Sequence, residues 1–296
     1  MRTAVAIFAL ASLAGCGGDL SGLSSVEPAP AVSERALAGG TDVTFLVAAD
    51  SHLGVEGIEA LNRVQIAAMN ALPGTPYPPQ IGGSVGKPLG VLFAGDLTEH
   101  GSAAEWQLFE TLYGLSGKEG LLKYPVFECS GNHDRPFLHL GQVTEKVRQR
   151  HGALTYSWDW GDLHVVCLDV YPTAANLRWL RGDLAAAGRR VPVVIYFHYS
   201  ILGPFSDWWS EAEKEAFAKA IEGYNVVGIF HGHFHGSYHY QWKGLDVFNI
   251  GSPKWIYHRF LAVHVTDSAF TVAAWDWDRG RWDWSVVKAI NERKTP

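Results

Sequence analysis

Six apolar runs divide the chain, and each ends on a polar residue. Val43, Phe45, Leu46 and Val47 lead into Asp50; Val91, Leu92 and Phe93 lead into Asp96; Val126 and Phe127 lead into Asn132. Val165, Val166, Cys167 and Leu168 reach Asp169, Val193, Val194 and Ile195 reach His198, and Val226, Val227 and Ile229 reach His233. Runs without polar alternation fit strands covered on both faces. Helical patterns lie between several of them. Ser102 with Glu105 forms a capping box ahead of Trp106, Phe109 and Leu112, and Ser210 with Glu213 repeats it ahead of Phe217, Ala220 and Ile221, with Gly223 as a stop. Leu177, Leu180 and Leu184 make a third helical stripe ended by Gly188. After Asp246 only strand patterns remain, closing in a hairpin between Phe270 and Ile290. This order predicts an α/β domain with two packed sheets, its site at strand C-termini. The Pro- and Gly-rich stretch 73–88 reads as an irregular loop near the mouth. A two-residue turn at Arg279-Gly280 sets Trp277 against Trp282, Trp275 against Trp284 and Asp276 against Asp283, a repulsion that only solvent or a cation tolerates. The Trp ladder is expected to pack on the body.

The strand ends carry the chemistry. Asp50-Ser51-His52, Gly95-Asp96, Gly131-Asn132-His133-Asp134, an isolated His198 and Gly232-His233-Phe234-His235 offer carboxylate, imidazole and amide donors for two metals, with one His to spare. Oxygen and nitrogen donors without thiolate suit Mn, Fe or Zn. Two ions a few Å apart can stabilise the attacking and leaving oxygens of an in-line displacement. Taken singly, each Asp reads as a turn residue and each His as a core imidazole. Five such fragments, each at a strand end, point jointly to hydrolysis of a phosphoester.

In this order (D-x-H, G-D, G-N-H-D, H, G-H-x-H) the fragments resemble the calcineurin-like metallophosphoesterases. The match runs from Asp50 to His235 and on through Asn249-Ile250-Gly251-Ser252. The resemblance implies a four-layer sandwich: two packed mixed β-sheets flanked by helices, with a dinuclear metal site at strand C-termini. It implies one metal, divalent or trivalent, on Asp50, His52, Asp96 and His235, and a second on Asp96, Asn132, His198 and His233. Asp96 would bridge, one oxygen to each ion, and a metal-bridging hydroxide would attack phosphorus. His133 would act as general acid, with Asp134 orienting its ring. Departures from the pattern narrow the substrate. Glu99 stands where purple acid phosphatases carry a Tyr, which argues against an Fe(III)–Tyr chromophore. His100 and Ser130 replace the two phosphate-clamping arginines of the serine/threonine protein phosphatases, which leaves Arg135 and His100 as candidate substrate contacts. Tyr199 and Ser200 replace the His and Pro that follow the isolated His in many small-molecule phosphodiesterases. Monoester and diester substrates both stay open. So does a catalytically inactive metal-binding or surface adhesion module on the same fold. A lipid-head-group phosphoesterase is a third reading, suggested by Phe205, Trp208 and Trp209.

Composition and the N-terminus add the setting. With 47% apolar residues among 296 the chain has ample core, and a net charge of −6 argues against nucleic acid as a partner. A small phosphorylated substrate is compatible with that charge, because bound cations dominate a local field. Residues 1–16 read as a lipoprotein signal peptide, with Leu13-Ala14-Gly15-Cys16 as a lipobox and Cys16 as the lipidated residue. Residues 17–40 read as a flexible tether, and 41–296 as the catalytic domain. The chain is expected to be exported and held by lipid at a bacterial cell envelope, at the outer membrane where there are two, since Gly17 follows the Cys. Cys129 and Cys167 fall in strand patterns and read as buried free thiols, with a disulfide as the alternative.

Overall fold

The structure, a computed structural model, describes residues 37–135 and 142–290, so the signal segment and Cys16 lie outside the described residues. Each of the six apolar runs becomes a strand. In chain order the first half comprises β1 (Asp42–Ala48), α1 (Ile58–Ala71), β2 (Val91–Ala94), α2 (Ala103–Tyr113), β3 (Val126–Cys129), α3 (Gln142–His151), β4 (Tyr156–Trp160), β5 (Leu163–Cys167) and α4 (Ala174–Ala187). The second half comprises β6 (Pro192–Phe197), α5 (Glu211–Ile221), β7 (Asn225–His231), β8 (Ser237–Trp242), β9 (Leu245–Ile250), β10 (Arg259–Thr266), β11 (Ala269–Asp276) and β12 (Arg281–Ala289). One sheet has the order β12-β11-β10-β1-β2-β3, and the other β4-β5-β6-β7-β9-β8. Strands β1–β3 run parallel, as do β5, β6, β7 and β9, and the remaining strands join antiparallel at the flanks.

The alternation along β1 fixes the layers. Phe45 and Val47 face the second sheet, meeting Phe230 and Phe248, whereas Leu46 and Ala48 face the helices, with Ile66, Trp106, Phe109 and Val143. On the far side Leu177, Leu180, Leu184 and Phe217 cover Ile195 and Phe197. Each fully buried Phe or Leu contributes about 1.5–3 kcal/mol relative to exposure. The result is the expected four-layer arrangement of helices, sheet, sheet and helices. Helices α1, α2, α4 and α5 and the antiparallel strands β4 and β8 return the chain between them, so all the parallel strands point their C-termini to one end of the sandwich.

Both capping boxes are present, with Ser102 and Ser210 accepting from the amides of Glu105 and Glu213, and Gly188 ends α4. Helices α1 and α3 were not foreseen. α1 starts after a left-handed Gly57 with no side-chain cap, and two of its inward residues are polar. Asn62 donates to the Ser51 carbonyl at 3.0 Å and Gln65 donates to the Tyr113 hydroxyl at 2.9 Å, so this face reads as broken in the sequence. α3 buries only Val143, Thr144 and Val147.

The hairpin differs from its expected register. Asp276 pairs with Arg281 and Trp275 with Trp282, a bulge follows, and Ala274 rather than Trp275 pairs with Trp284. Two contacts explain the longer loop. Asp276 accepts from the Arg279 amide at 3.1 Å, and Trp277 leaves the ladder to stack on His258 at 4.4 Å between centroids. Arg259 is the cation between the acids, 2.9 Å from both Asp276 and Asp283. The Trp side chains do pack on the body: Trp275 and Trp282 join the helix-side cluster, and Trp284 joins the layer between the sheets.

The 73–88 loop lies against this hairpin, with Tyr77 stacked on Trp282 and the Pro76 carbonyl accepting from the Trp282 indole. None of its residues lines the pocket at the strand ends. Cys129 and Cys167 are buried free thiols, and burial pushes the Cys129 thiol up. At the start of the domain, the Gly39 and Gly40 amides already dock on Asp162 and Asp267, so the chain is held slightly before the expected boundary at residue 41.

Candidate metal centre

Three of the five fragments at the strand ends, those of Asp50, Asp96 and His233, break away from their strands through tight left-handed turns. Nine described non-glycine residues have positive φ, among them Asp50 (57°), His52 (44°), Asp96 (50°), His233 (71°) and His235 (58°). Left-handed backbone costs a non-glycine residue on the order of 1–3 kcal/mol, and it persists where surrounding structure holds it for function. Here it turns five donor side chains inward from the ends of three strands, β1, β2 and β7. Two glycines permit the close approach that results. A Cβ on Gly131 would sit 2.1 Å from Asp96 Oδ1, and one on Gly232 would sit 2.6 Å from Asp50 Oδ2.

The donors form two groups that share one carboxylate. Asp50, His52, Asp96 and His235 bring ligand atoms within 4.8 Å of one another, as do Asp96, His198 and His233. Asn132 joins the second group, its Oδ1 lying 3.0 Å from His198 Nε2. Asp96 Oδ2 stands 3.5 Å from His52 Nε2 and 3.2 Å from His198 Nε2, so one oxygen faces both groups. Oδ1 accepts from the His133 amide at 2.9 Å. That corrects the expectation of one Asp96 oxygen for each ion, since a fixed amide already holds the second oxygen.

The donor set fits metal ions. His52 donates through Nδ1 to Glu99 at 2.6 Å, and His198 through Nδ1 to the Ala94 carbonyl at 2.8 Å, which turns both Nε2 atoms to the centre. An oriented ring of this kind is the usual partner arrangement of a ligating His. Burial holds His233 down to about 2 and His235 to about 3, so both rings are neutral donors near neutral pH. His233 Nε2 and His235 Nδ1 are buried without a partner. Burial also opposes charge on His198, yet Asp96 and Asp50 outweigh it and raise the ring to about 9. Two buried carboxylates thus draw in positive charge.

His133 stands beside the centre on the pocket wall, its ring 4.7 Å from that of His52. Its Nδ1 donates to the Glu99 carbonyl at 2.9 Å, which leaves Nε2 for the pocket. The ring-orienting role expected of Asp134 therefore falls to Glu99. Asp134 is buried and accepts from the amides of Leu97, Thr98 and Gly131 and from the Thr98 hydroxyl, at 2.7–3.1 Å. It ties the loop after β2 to the loop after β3.

Neither candidate substrate contact reaches the pocket. Arg135 is committed to the Asp169 carboxylate and to Ser130 Oγ, and His100 is exposed and pairs with Glu105 at 2.7 Å. Two residues outside the expected set stand beside the centre instead. Glu99 holds His52, His133 and Lys254, and the hydrogen bonds from His52 and Lys254 hold its carboxyl near 2 against burial. Lys254 Nζ lies 2.9 Å from Glu99 and lines the pocket. Its loop is pinned by Ser252, which donates to the Asp50 carbonyl at 2.8 Å. Glu99 follows Asp96 by three residues, which is a local signal; Lys254 has none.

The centre opens into a cavity of about 140 Å³ walled by Asn132, His133, Lys254 and the aromatics Phe205, Trp208 and Trp255. The family model for calcineurin-like phosphoesterases matches residues 43–237, a span that holds every donor just described. The chain belongs to the calcineurin-like phosphoesterase family. Solved structures repeat this phosphoesterase fold at low identity. A dimetal phosphatase from Danio rerio is 12% identical with a TM-score of 0.58, covering 84% of this chain and 99% of that one. Purple acid phosphatase PPD1 from yellow lupin is 14% identical with a TM-score of 0.58; it covers 83% of this chain, which spans 53% of its length. GAP50 of Plasmodium, described as the anchor in the inner membrane complex, is 9% identical with a TM-score of 0.58, over 84% of this chain and 89% of that one. No curated protein sequence matches the chain.

Proposed function

We propose that the chain is a two-metal hydrolase of phosphoesters. One observation carries this reading: a single oxygen, Asp96 Oδ2, faces His52 on one side and His198 on the other. Asp50, His52, Asp96 and His235 would hold one ion, and Asp96, Asn132, His198 and His233 the other. Bound there, two divalent or trivalent cations (Mn, Fe or Zn) would neutralise phosphoryl charge and lower the pKa of an attacking water. The chain's own residues do the rest. His133, fixed through Nδ1, would in its imidazolium form give the Nε2 proton to the leaving oxygen as general acid, ending as the neutral ring. Lys254 gives the pocket a positive side chain, the part once expected of Arg135. The test is metal analysis alongside turnover of p-nitrophenyl phosphate and its bis ester, which also separates monoesterase from diesterase. Two ions per chain and metal-dependent release of nitrophenolate are expected; two bound ions with neither ester cleaved would favour the inactive module. The description of GAP50 as an anchor gives that second reading its support. His133 weighs against it, because a binding module has no use for a held proton donor.

The setting proposed is a lipid-anchored protein of the cell envelope, supported by the apolar segment before Cys16. Radiolabelled palmitate should enter the wild-type chain and not Cys16→Ala.

A further inference from the structure

Twelve large hydrophobic side chains are exposed among the described residues, and half of them lie on two loops at the mouth of the metal pocket. Leu202, Phe205 and Trp208 belong to the loop after β6; Trp255, Ile256 and Tyr257 belong to the loop after β9. Single exposed hydrophobics need no explanation, whereas a cluster around a functional opening marks what the opening receives. The two loops stand over opposite groups of the centre. The Trp208 ring lies 4.5 Å from that of His233, and the Trp255 ring 4.5 Å from that of His235. Phe205 and Trp255 are themselves left-handed, at φ 60° and 75°. Each keeps about half of its surface in water although one side touches a ring of the centre, Phe205 against His233 and Trp255 against His235.

We propose that the centre acts on amphiphilic phosphoesters, with the phosphate between the two donor groups and the apolar part of the alcohol lying across this rim. The inference rests on the hydrolase reading above and names its substrate class. A flat base held between Trp208 and Trp255 would leave the exposed aliphatic residues of the two loops without a role. Ile256, 76% exposed, and Leu202 are aliphatic and belong to the same two loops as the lining aromatics, offering the kind of surface a flexible apolar chain requires. An amphiphile dispersed in water and one embedded in a bilayer offer the same chemistry, and the assay separates them.

Glycerol 3-phosphate and its diacyl derivatives share one phosphate ester, so a difference between them reads the apolar part alone. With the metal-loaded chain, kcat/KM should be at least tenfold higher for the dihexanoyl derivative than for glycerol 3-phosphate. The Leu202→Ser/Ile256→Ser double variant should cut that ratio to threefold or less with both ions retained. Dioleoyl substrate in phosphatidylcholine vesicles tells a bilayer source from a dispersed one. A ratio near one overturns the proposal. So does a ratio that the double variant leaves intact, or a preference for AMP over ribose 5-phosphate with none for acyl chains. Calorimetric binding of the matching phosphonates, with CH2 in place of the ester oxygen, reads the same ratio without turnover. Tighter binding of the acylated phosphonate by a chain that cleaves no ester would sink the hydrolase reading and keep the apolar rim.

Discussion

Asp96 answers two demands with one carboxylate. Oδ1 is fixed by the His133 amide, and Oδ2 is left to face both donor groups. Asp96→Ala should therefore lose both ions and activity together, measured as metal per chain and kcat/KM; two ions with normal turnover would remove the shared-ligand assignment. His133→Ala should keep both ions and lose about 10²–10⁴ in kcat, the usual worth of a general acid. Loss of metal in that variant would make His133 a ligand instead. The donors were legible in the sequence because ligation needs particular atoms at short spacings, such as His233 and His235 two apart. Glu99 has a local signal three residues after Asp96, but its partner Lys254 meets it only through folding, 155 residues apart, and no spacing announces that residue. The direction of Arg135 was unreadable for the same reason, since its partner Asp169 lies 34 residues away.

Among the elements, the loops after β2 and β3 act as one piece because Asp134, in the second, accepts three hydrogen bonds from Leu97 and Thr98 in the first and a fourth from Gly131 in its own. Removing a buried acceptor leaves its donors unsatisfied, at about 1–3 kcal/mol for each group. Asp134→Ala should lower both Tm and metal occupancy, by thermal melts and metal analysis; a variant with full metal content and only a slower rate would return Asp134 to the service of His133. A second device joins β5 to α4. Burial opposes charge on His164, but hydrogen bonds to Asp183 and Asp159 outweigh it and raise its pKa above the usual value. A raised folded pKa gives stability that is fully present below the unfolded value, about 6.5, and is lost as pH rises through the folded value. His164→Gln should therefore destabilise the chain in acid and less so in alkali, seen as convergence of the two urea midpoints as pH rises. Elements were legible where caps and apolar stripes agreed, as in α2, α4 and α5. They were hidden where tertiary contacts decided, as in α1 with buried Asn62 and Gln65. The hairpin register was set by a side chain, Asp276, rather than by the Arg279-Gly280 pair.

Across the whole molecule, neither sheet holds the centre alone. Asp50, His52, Asp96 and Asn132 stand at the ends of β1–β3, and His198, His233 and His235 at the ends of β6 and β7, on the other sheet. Each donor group draws on both sheets, so an ion that binds there also fastens one sheet to the other. Without a cation, two buried carboxylates face each other's field, and burial raises Asp50 well above the usual carboxylate range. Binding to the folded chain alone stabilises it by about 2.7 kcal/mol for each ion at a free concentration a hundred times Kd. In a domain of this size about 1 kcal/mol moves Tm by roughly 2–4 °C. Dialysis against a chelator should then lower Tm by about 5–10 °C for each ion removed, and adding back Mn or Zn should restore it. Asp96→Ala supplies the control, because with both groups broken its melt should no longer respond to chelator or metal. A wild-type Tm that is equally indifferent to both would mean that the sheets are fastened without ions, and the two groups would lose their claim to be a metal centre.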